Sequence, residues 1–217
     1  MRTLMYAILA VVVVRFAAQA APLSEAELKN LLTAIRQNRT NQADFQEERV
    51  IRLMRKPVLS SGTVWFQPPN KFRREMKGSS PSVSVSDGRE LWIYYPNFKS
   101  AERYPLGKGS PLDATVAAIN SALNLENIES TFNVTATKTE SGHQLQLLPR
   151  SYAMKRAFQK LDLKISEKFR VERTDMLLPN GDRIVTTYSN QTRAPIPASM
   201  FEFKPPAGTE VTTPLGQ

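Results

Sequence analysis

Side chains able to do chemistry are sparse in these 217 residues. There is one histidine, His143, beside the pair Ser141-Gly142, and there is no cysteine. A His and Cys metal centre needs several converging ligands, so none can be assembled and no metal is expected. A Ser-His-Asp arrangement would have to recruit His143 from a turn, with no strand-turn-helix nucleophile motif to meet it. His143 therefore reads as an exposed turn residue. The nine glycines are dispersed as turn residues, and Gly107-Lys108-Gly109 is too short to cradle a phosphate. The adjacent carboxylates of Glu47 and Glu48 point to opposite faces of a strand and cannot act on one bond together; they read as solvated ends of a charged stretch. No catalytic residue and no cofactor follow, and a non-enzymatic protein is expected.

What the chain supplies in quantity is large apolar and aromatic side chains at strand spacing: Phe45, Trp65, Phe66, Phe72, Trp92, Ile93, Tyr94 and Tyr95. On strands such residues fill a core or line an apolar cavity, and pattern alone leaves both open. The elements that must position them are short alternating runs near 43–54, 62–67, 71–77, 82–86, 90–95, 100–104, 130–139, 144–149, 158–166, 170–178, 182–191 and 200–204. Ser61-Gly62, Asp87-Gly88, Ser141-Gly142 and Asn180-Gly181 punctuate them as hairpin signals. Ser24 and Glu27 form a capping-box pair ahead of Leu28, Leu31, Leu32 and Ile35 at helical spacing. Ser110, Pro111 and Asp113 signal a second helix carrying Leu112, Val116, Ile119 and Leu123. About a dozen strands exceed what one flat sheet holds. The expected fold class is mainly β with covering helices: a strongly curved antiparallel sheet whose concave face and edges the helices cover.

The N-terminus carries a signal of another kind. Arg2 precedes an apolar run of about 11 residues, and Ala18-Gln19-Ala20 follows; spanning a bilayer takes roughly 20 apolar residues, so this order reads as a cleavable signal peptide. Residues 1–20 are expected to be removed, leaving one domain over 21–217. Without cysteine there is no disulfide and no lipid anchor on a new N-terminal cysteine, so an exported, unanchored protein is expected. The net charge of +9 falls to about +7 once Arg2 and Arg15 leave. The basic residues are scattered and export removes the protein from nucleic acid, so no nucleic-acid partner is expected. Acidic lipid head groups or an acidic partner protein suit the charge better, and an ordinary solvated basic surface suits it equally.

The same residues carry a resemblance to a known family. Asp44-Phe45-Gln46 entering a strand, Ser61-Gly62-Thr63-Val64-Trp65-Phe66, Pro69-Asn70-Lys71-Phe72-Arg73, the run from Ser86-Asp87-Gly88 to Tyr95-Pro96, and the closing Phe201-Glu202-Phe203-Lys204-Pro205-Pro206-Ala207-Gly208 resemble, in that order, the periplasmic outer-membrane lipoprotein carrier family (LolA-like). The resemblance implies an incomplete antiparallel β-barrel of about 11–12 strands, closed by an N-terminal helix and a central lid helix. Its apolar lining would bind acyl chains of a lipoprotein or related lipid. It further implies a periplasmic monomer that takes cargo from an inner-membrane transporter and delivers it to an outer-membrane acceptor, with at most transient membrane-surface contact. A lipid- or lipoprotein-sensing regulatory module on the same fold is the alternative reading.

Carried over position by position, Phe72 matches a family aromatic in the cavity region, and Trp65 and Trp92 match aromatic positions in the flanking strand motifs. With Phe66, Ile93, Arg74 and Met76 they make up the expected acyl-binding set, and Leu112, Val116, Ile119 and Leu123 the lid. Two positions depart from the pattern. Pro68 stands where the best-known members have an arginine that hydrogen-bonds the lid, and Arg74 stands where many relatives have an aromatic residue. Arg74 shares strand parity with Phe72 and Met76, so it points inward if they do, unless a bulge or strand end carries it to solvent. N-terminal sequencing of the exported protein is expected to begin at Ala21; a start at Met1 would remove the signal-peptide reading.

Overall fold

The computed structural model describes residues 21–106 and 128–214. The expected signal peptide over 1–20 and the expected lid residues Leu112, Val116, Ile119 and Leu123 lie outside the described residues. The described elements are helix α1 (Glu25–Gln37), strands β1 (Gln42–Val50), β2 (Val58–Gln67), β3 (Lys71–Lys77), β4 (Ser82–Ser86), β5 (Glu90–Tyr95) and β6 (Ser100–Pro105), then helix α2 (Ile128–Thr131), β7 (Phe132–Thr139), β8 (Gly142–Pro149), helix α3 (Tyr152–Ala157), β9 (Lys160–Ser166), β10 (Val171–Leu177), β11 (Arg183–Thr192) and β12 (Glu210–Thr212). The strands form one open sheet in the order β12-β6-β5-β4-β3-β2-β1-β11-β10-β9-β8-β7. All neighbours are antiparallel except β12 on β6. The expected curved, mainly β architecture with covering helices is the one found.

Several local expectations are corrected. β1 ends at Val50 rather than running on to 54, and β2 already begins at Val58, so Ser61-Gly62 lies inside a strand instead of at a turn. Gly62 is there for space: a Cβ would overlap the Glu75 carbonyl oxygen and stand 2.8 Å from Cζ of Phe45. Residues 200–204 are not a strand, because the 3-10 turn Ala198–Phe201 leads into extended chain and the last strand lies further on. Helix α3 has no counterpart among the sequence expectations; Ser151 caps it, its Oγ accepting from the Met154 amide at 3.2 Å. His143 sits within β8 rather than exposed on a turn.

Helix α1 forms where the capping box predicts it. The Glu27 carboxylate accepts from the Ser24 amide at 2.8 Å and the Ser24 hydroxyl accepts from the Glu27 amide at 3.4 Å, an arrangement worth about 1 kcal/mol. Leu31, Leu32 and Ile35 are buried. They join Phe132, Leu145, Leu147, Phe158, Leu161, Leu163 and Ile165 in the main apolar core on one face of β7–β9, together with Met154 of α3. Each such side chain contributes about 1.5–3 kcal/mol by leaving water.

The sides of β6 and β7 that face away from their antiparallel neighbours are each met by a terminal segment. β12 pairs along β6, and at the other edge Pro22 bridges to Thr137 while the Leu23 amide donates to the Ala136 carbonyl at 2.8 Å. Covered edges deny a second chain the unpaired row of amides on which aggregation starts.

His143 stacks against Phe169 with ring centroids 6.3 Å apart, and its Nδ1 is buried without a hydrogen-bond partner among the described residues. Burial, and then the charge of Lys138, hold its imidazole below the ordinary value of 6.5. The unfolded chain therefore binds a proton that the folded one resists, and stability is lost as pH falls from 6.5 through the lower folded value. Carboxylates held low by hydrogen bonds, such as Asp44 through Asn190 and Thr63, add their loss only at more acid pH. His143→Gln is expected to flatten the decline of Tm between about pH 7 and 5 in thermal unfolding series; an unchanged slope would place that decline elsewhere.

Candidate functional site

Side chains alternate along a strand, and directly paired residues share a face, so register assigns every residue to one side of the sheet. Thr186, paired with Thr174 on one side and Glu47 on the other, continues the face that α1 covers into β1. On β1 that face presents Ala43, Phe45 and Glu47. Three cross-strand rows carry it onward: Phe66, Phe72, Ser86, Leu91 and Tyr104; Val64, Arg74, Ser84, Ile93 and Glu102; and Tyr188, Phe45, Gly62, Met76 and Ser82. This inner face is apolar at its base, where Phe66, Phe72 and Leu91 are buried together with Ile93, Tyr104 and Leu106 packed on them. A second cluster joins Ala43, Phe45 and Val64 to Met76 and Tyr188.

Strand β4 turns its small residues inward. Ser82, Ser84 and Ser86 lie on the inner face while Val83 and Val85 take the outer one. They are the small residues of this face, between the longer side chains of β3 and β5, and Ser82 and Ser86 are buried. The Ser86 hydroxyl is bound to the Asn70 carbonyl at 3.0 Å, so its polarity is spent locally.

Of the seven expected acyl-binding residues, Phe66, Phe72, Ile93, Arg74 and Met76 come together on this face. Trp65 and Trp92 do not. They lie one residue out of phase, in the outer row Trp65, Arg73, Val85, Trp92 and Arg103. There Trp92 packs on Phe203 of the C-terminal tail at 5.6 Å, Tyr94 does so at 5.7 Å, and the Arg103 guanidinium stands 5.7 Å from the Trp92 ring. Two adjacent aromatics on one strand cannot both face a cavity, and the tail covers the other set.

Arg74 points inward and no bulge diverts it. Its Nη2 donates to Glu47 Oε2 at 2.6 Å, and its guanidinium lies 4.2 Å from the centre of the Phe45 ring. Thr186 adds a hydroxyl donor to the same carboxylate oxygen at 3.4 Å. Glu47 is thus a half-buried, paired residue rather than the solvated end of a charged stretch, while Glu48, on the opposite face, is exposed. Its parity with Phe45, two residues before it, was the signal that could have found it. Further along the row, Glu102 accepts from the Tyr104 hydroxyl at 2.7 Å and from Tyr95 at 3.5 Å. Burial and the neighbouring carboxylate push both phenols above their usual range, so they remain neutral donors. Burial does the same for Tyr188.

An apolar face whose charged groups are paired within the sheet can hold a long apolar group. Among the described residues, no three His, Cys, Asp or Glu side chains converge as metal ligands would.

The chain is similar to several known proteins. The family model described as "Outer membrane lipoprotein carrier protein LolA" matches residues 36–204. An outer-membrane lipoprotein carrier protein of Coxiella burnetii (strain CbuK_Q154) is 27% identical over 191 residues, spanning 85% of this chain and 84% of its own length. One of Methylibium petroleiphilum (strain ATCC BAA-1232 / LMG 22953 / PM1) is 31% identical over 154 residues, spanning 70% and 72%. Among solved structures, an uncharacterized conserved protein from Thermus thermophilus superposes with a TM-score of 0.52 at 15% identity, over 86% of this chain and 99% of that one. That likeness concerns the fold.

Removing one member of a shielded ion pair strands the other. Glu47→Gln is expected to lower stability by about 1–3 kcal/mol in urea unfolding, whereas the double variant Glu47→Leu with Arg74→Met recovers most of the loss. Additive losses in that cycle would mean the two charges do not depend on each other.

Proposed function

This chain belongs to the LolA family of outer membrane lipoprotein carrier proteins, and from that premise we propose that it is an exported, single-domain carrier. It binds acyl chains of a lipoprotein, or of a related lipid, on its inner face and ferries them through the periplasm from an inner-membrane donor to an outer-membrane acceptor. It works by binding and release, as a monomer, and not as an enzyme. The observation that carries the reading is the inner face of β2–β6, where Phe66, Phe72, Leu91 and Ile93 stand beside the inward serines of β4.

Magnitudes support a carrier that has to let go. Burying a methylene is worth about 0.8 kcal/mol, so a sixteen-carbon chain fully enclosed would gain on the order of 12 kcal/mol, and three would pass the ceiling of roughly 18–21 kcal/mol for non-covalent binding. The charged pair of Arg74 and Glu47 and the tyrosine-bound Glu102 interrupt the apolar surface. A chain lying over them gains less per methylene and leaves more readily.

Native mass spectrometry of protein recovered from the periplasm is expected to detect acylated ligand, and the purified protein to take up a fluorescent fatty-acyl probe. Phe72, 1% exposed, is too deep to accept a charge without unfolding, so the variant of choice is Ile93→Asp at a half-buried position. It should weaken probe binding at least about tenfold while leaving the thermal transition cooperative. Ligand-free protein that also ignores the probe would overturn the reading.

A further inference from the structure

The antiparallel order gathers the turns into two groups. β1 ends where β2 begins, and Lys77, Tyr95, Leu177 and Pro149 close their strands at that same end, while the turns after β2, β4, β7 and β9 lie at the other. Every exposed large apolar residue described belongs to the first end. Leu53 is 96% exposed, Phe98 77%, Tyr152 78% and Leu59 64%, with Met54 beside them. The β1–β2 hairpin runs on past the end of β3, which stops at Lys77 opposite Ser61, so that Val58 to Ser60 lie beyond the β2–β3 ladder. Between Arg49 and Leu59 this tip carries four cations, Arg49, Arg52, Arg55 and Lys56, and no acid. Glu48 stands only at its base, opposite Leu59. Asp182, which meets the tip from the β10–β11 turn, is buried and already engaged by the Arg52 amide at 3.0 Å.

We propose that the β1–β2 tip docks the protein on an anionic phospholipid surface, Leu53 and Met54 entering the interface while Arg49, Arg52, Arg55 and Lys56 meet the head groups. An almost fully exposed leucine and a half-exposed methionine interleaved with cations are the chemistry of interfacial anchoring. A protein partner would call for a broader patch with a shaped pocket and a polar rim, whereas Leu53 stands on a narrow hairpin. Docking at this end would bring the inner face to a bilayer for exchange of chains, a consequence that rests on the carrier reading; the docking itself does not.

The test is flotation of the full mature protein with vesicles of phosphatidylcholine alone or with phosphatidylglycerol added, beside the acyl-probe assay on the same samples. Binding to anionic vesicles is expected, with a loss of at least about tenfold on neutral vesicles, in high salt, and in the variant Arg52→Glu/Arg55→Glu/Lys56→Glu. Leu53→Ser/Met54→Ser should weaken it severalfold with probe affinity and melting temperature unchanged. Failure of the unmodified protein to float with anionic vesicles would overturn the proposal, as would flotation indifferent to both variants. Crosslinking from position 53 to a membrane protein without vesicle binding would overturn it in favour of a protein partner. Loss of probe binding with flotation intact would count against the carrier reading alone.

Discussion

Register is the constraint on which the rest of this molecule depends. In a sheet of twelve strands, a slip of one residue in any pair would exchange the inner and outer faces of everything beyond it. The structure locks register where the faces matter most. Gly62 lies beneath the Phe45 ring, where no larger residue fits against the Glu75 carbonyl. Arg74 reaches from β3 across β2 to Glu47 on β1 and also covers Phe45. A slipped β3 would leave a guanidinium and a carboxylate apart in an apolar setting, at a cost that no neighbouring contact offsets. The ion pair therefore contributes specificity of pairing more than net stability.

The two faces are then covered by different means. Helix α1 covers the inner face over β7–β9 with Leu31, Leu32 and Ile35, while the outer face of β5 receives the C-terminal tail through Phe203. The tail then continues to the parallel strand β12, which covers the β6 edge. One terminal segment thus serves both the outer aromatics and an exposed edge. On the inner face of β2–β6, Phe66, Phe72 and Leu91 are buried and Ile93 is half-buried.

Polar groups on that inner face are satisfied within the sheet: Arg74 by Glu47, Glu102 by Tyr104 and Tyr95, Ser86 by the Asn70 carbonyl. These three groups bring their own partners, so an entering ligand need not satisfy them. An anionic ligand group would have to displace Glu47 from Arg74 to gain anything there. This favours recognition by apolar area over recognition by charge.

Much of this was legible in the amino-acid order. The alternation of β3–β6 located those strands nearly to the residue, Ser24 and Glu27 announced α1, and one histidine without cysteine left no metal site of the His and Cys kind. Parity alone put Phe72, Arg74 and Met76 on a common face and Trp65 with Trp92 in no necessary relation to it. What the sequence by itself determined was periodicity and the chemistry available, since both are properties of neighbours along the chain. Only the tertiary structure decided which parity is inside, because that depends on what packs on each face: the tail claims Trp92, and α1 with the distant strands claims the other side. It also made Glu47, 27 residues from Arg74, the partner of that guanidinium, and it brought Leu53, Phe98 and Tyr152 to one end of the sheet. Pairings at such separations are set by register and crossover, and no local pattern encodes them.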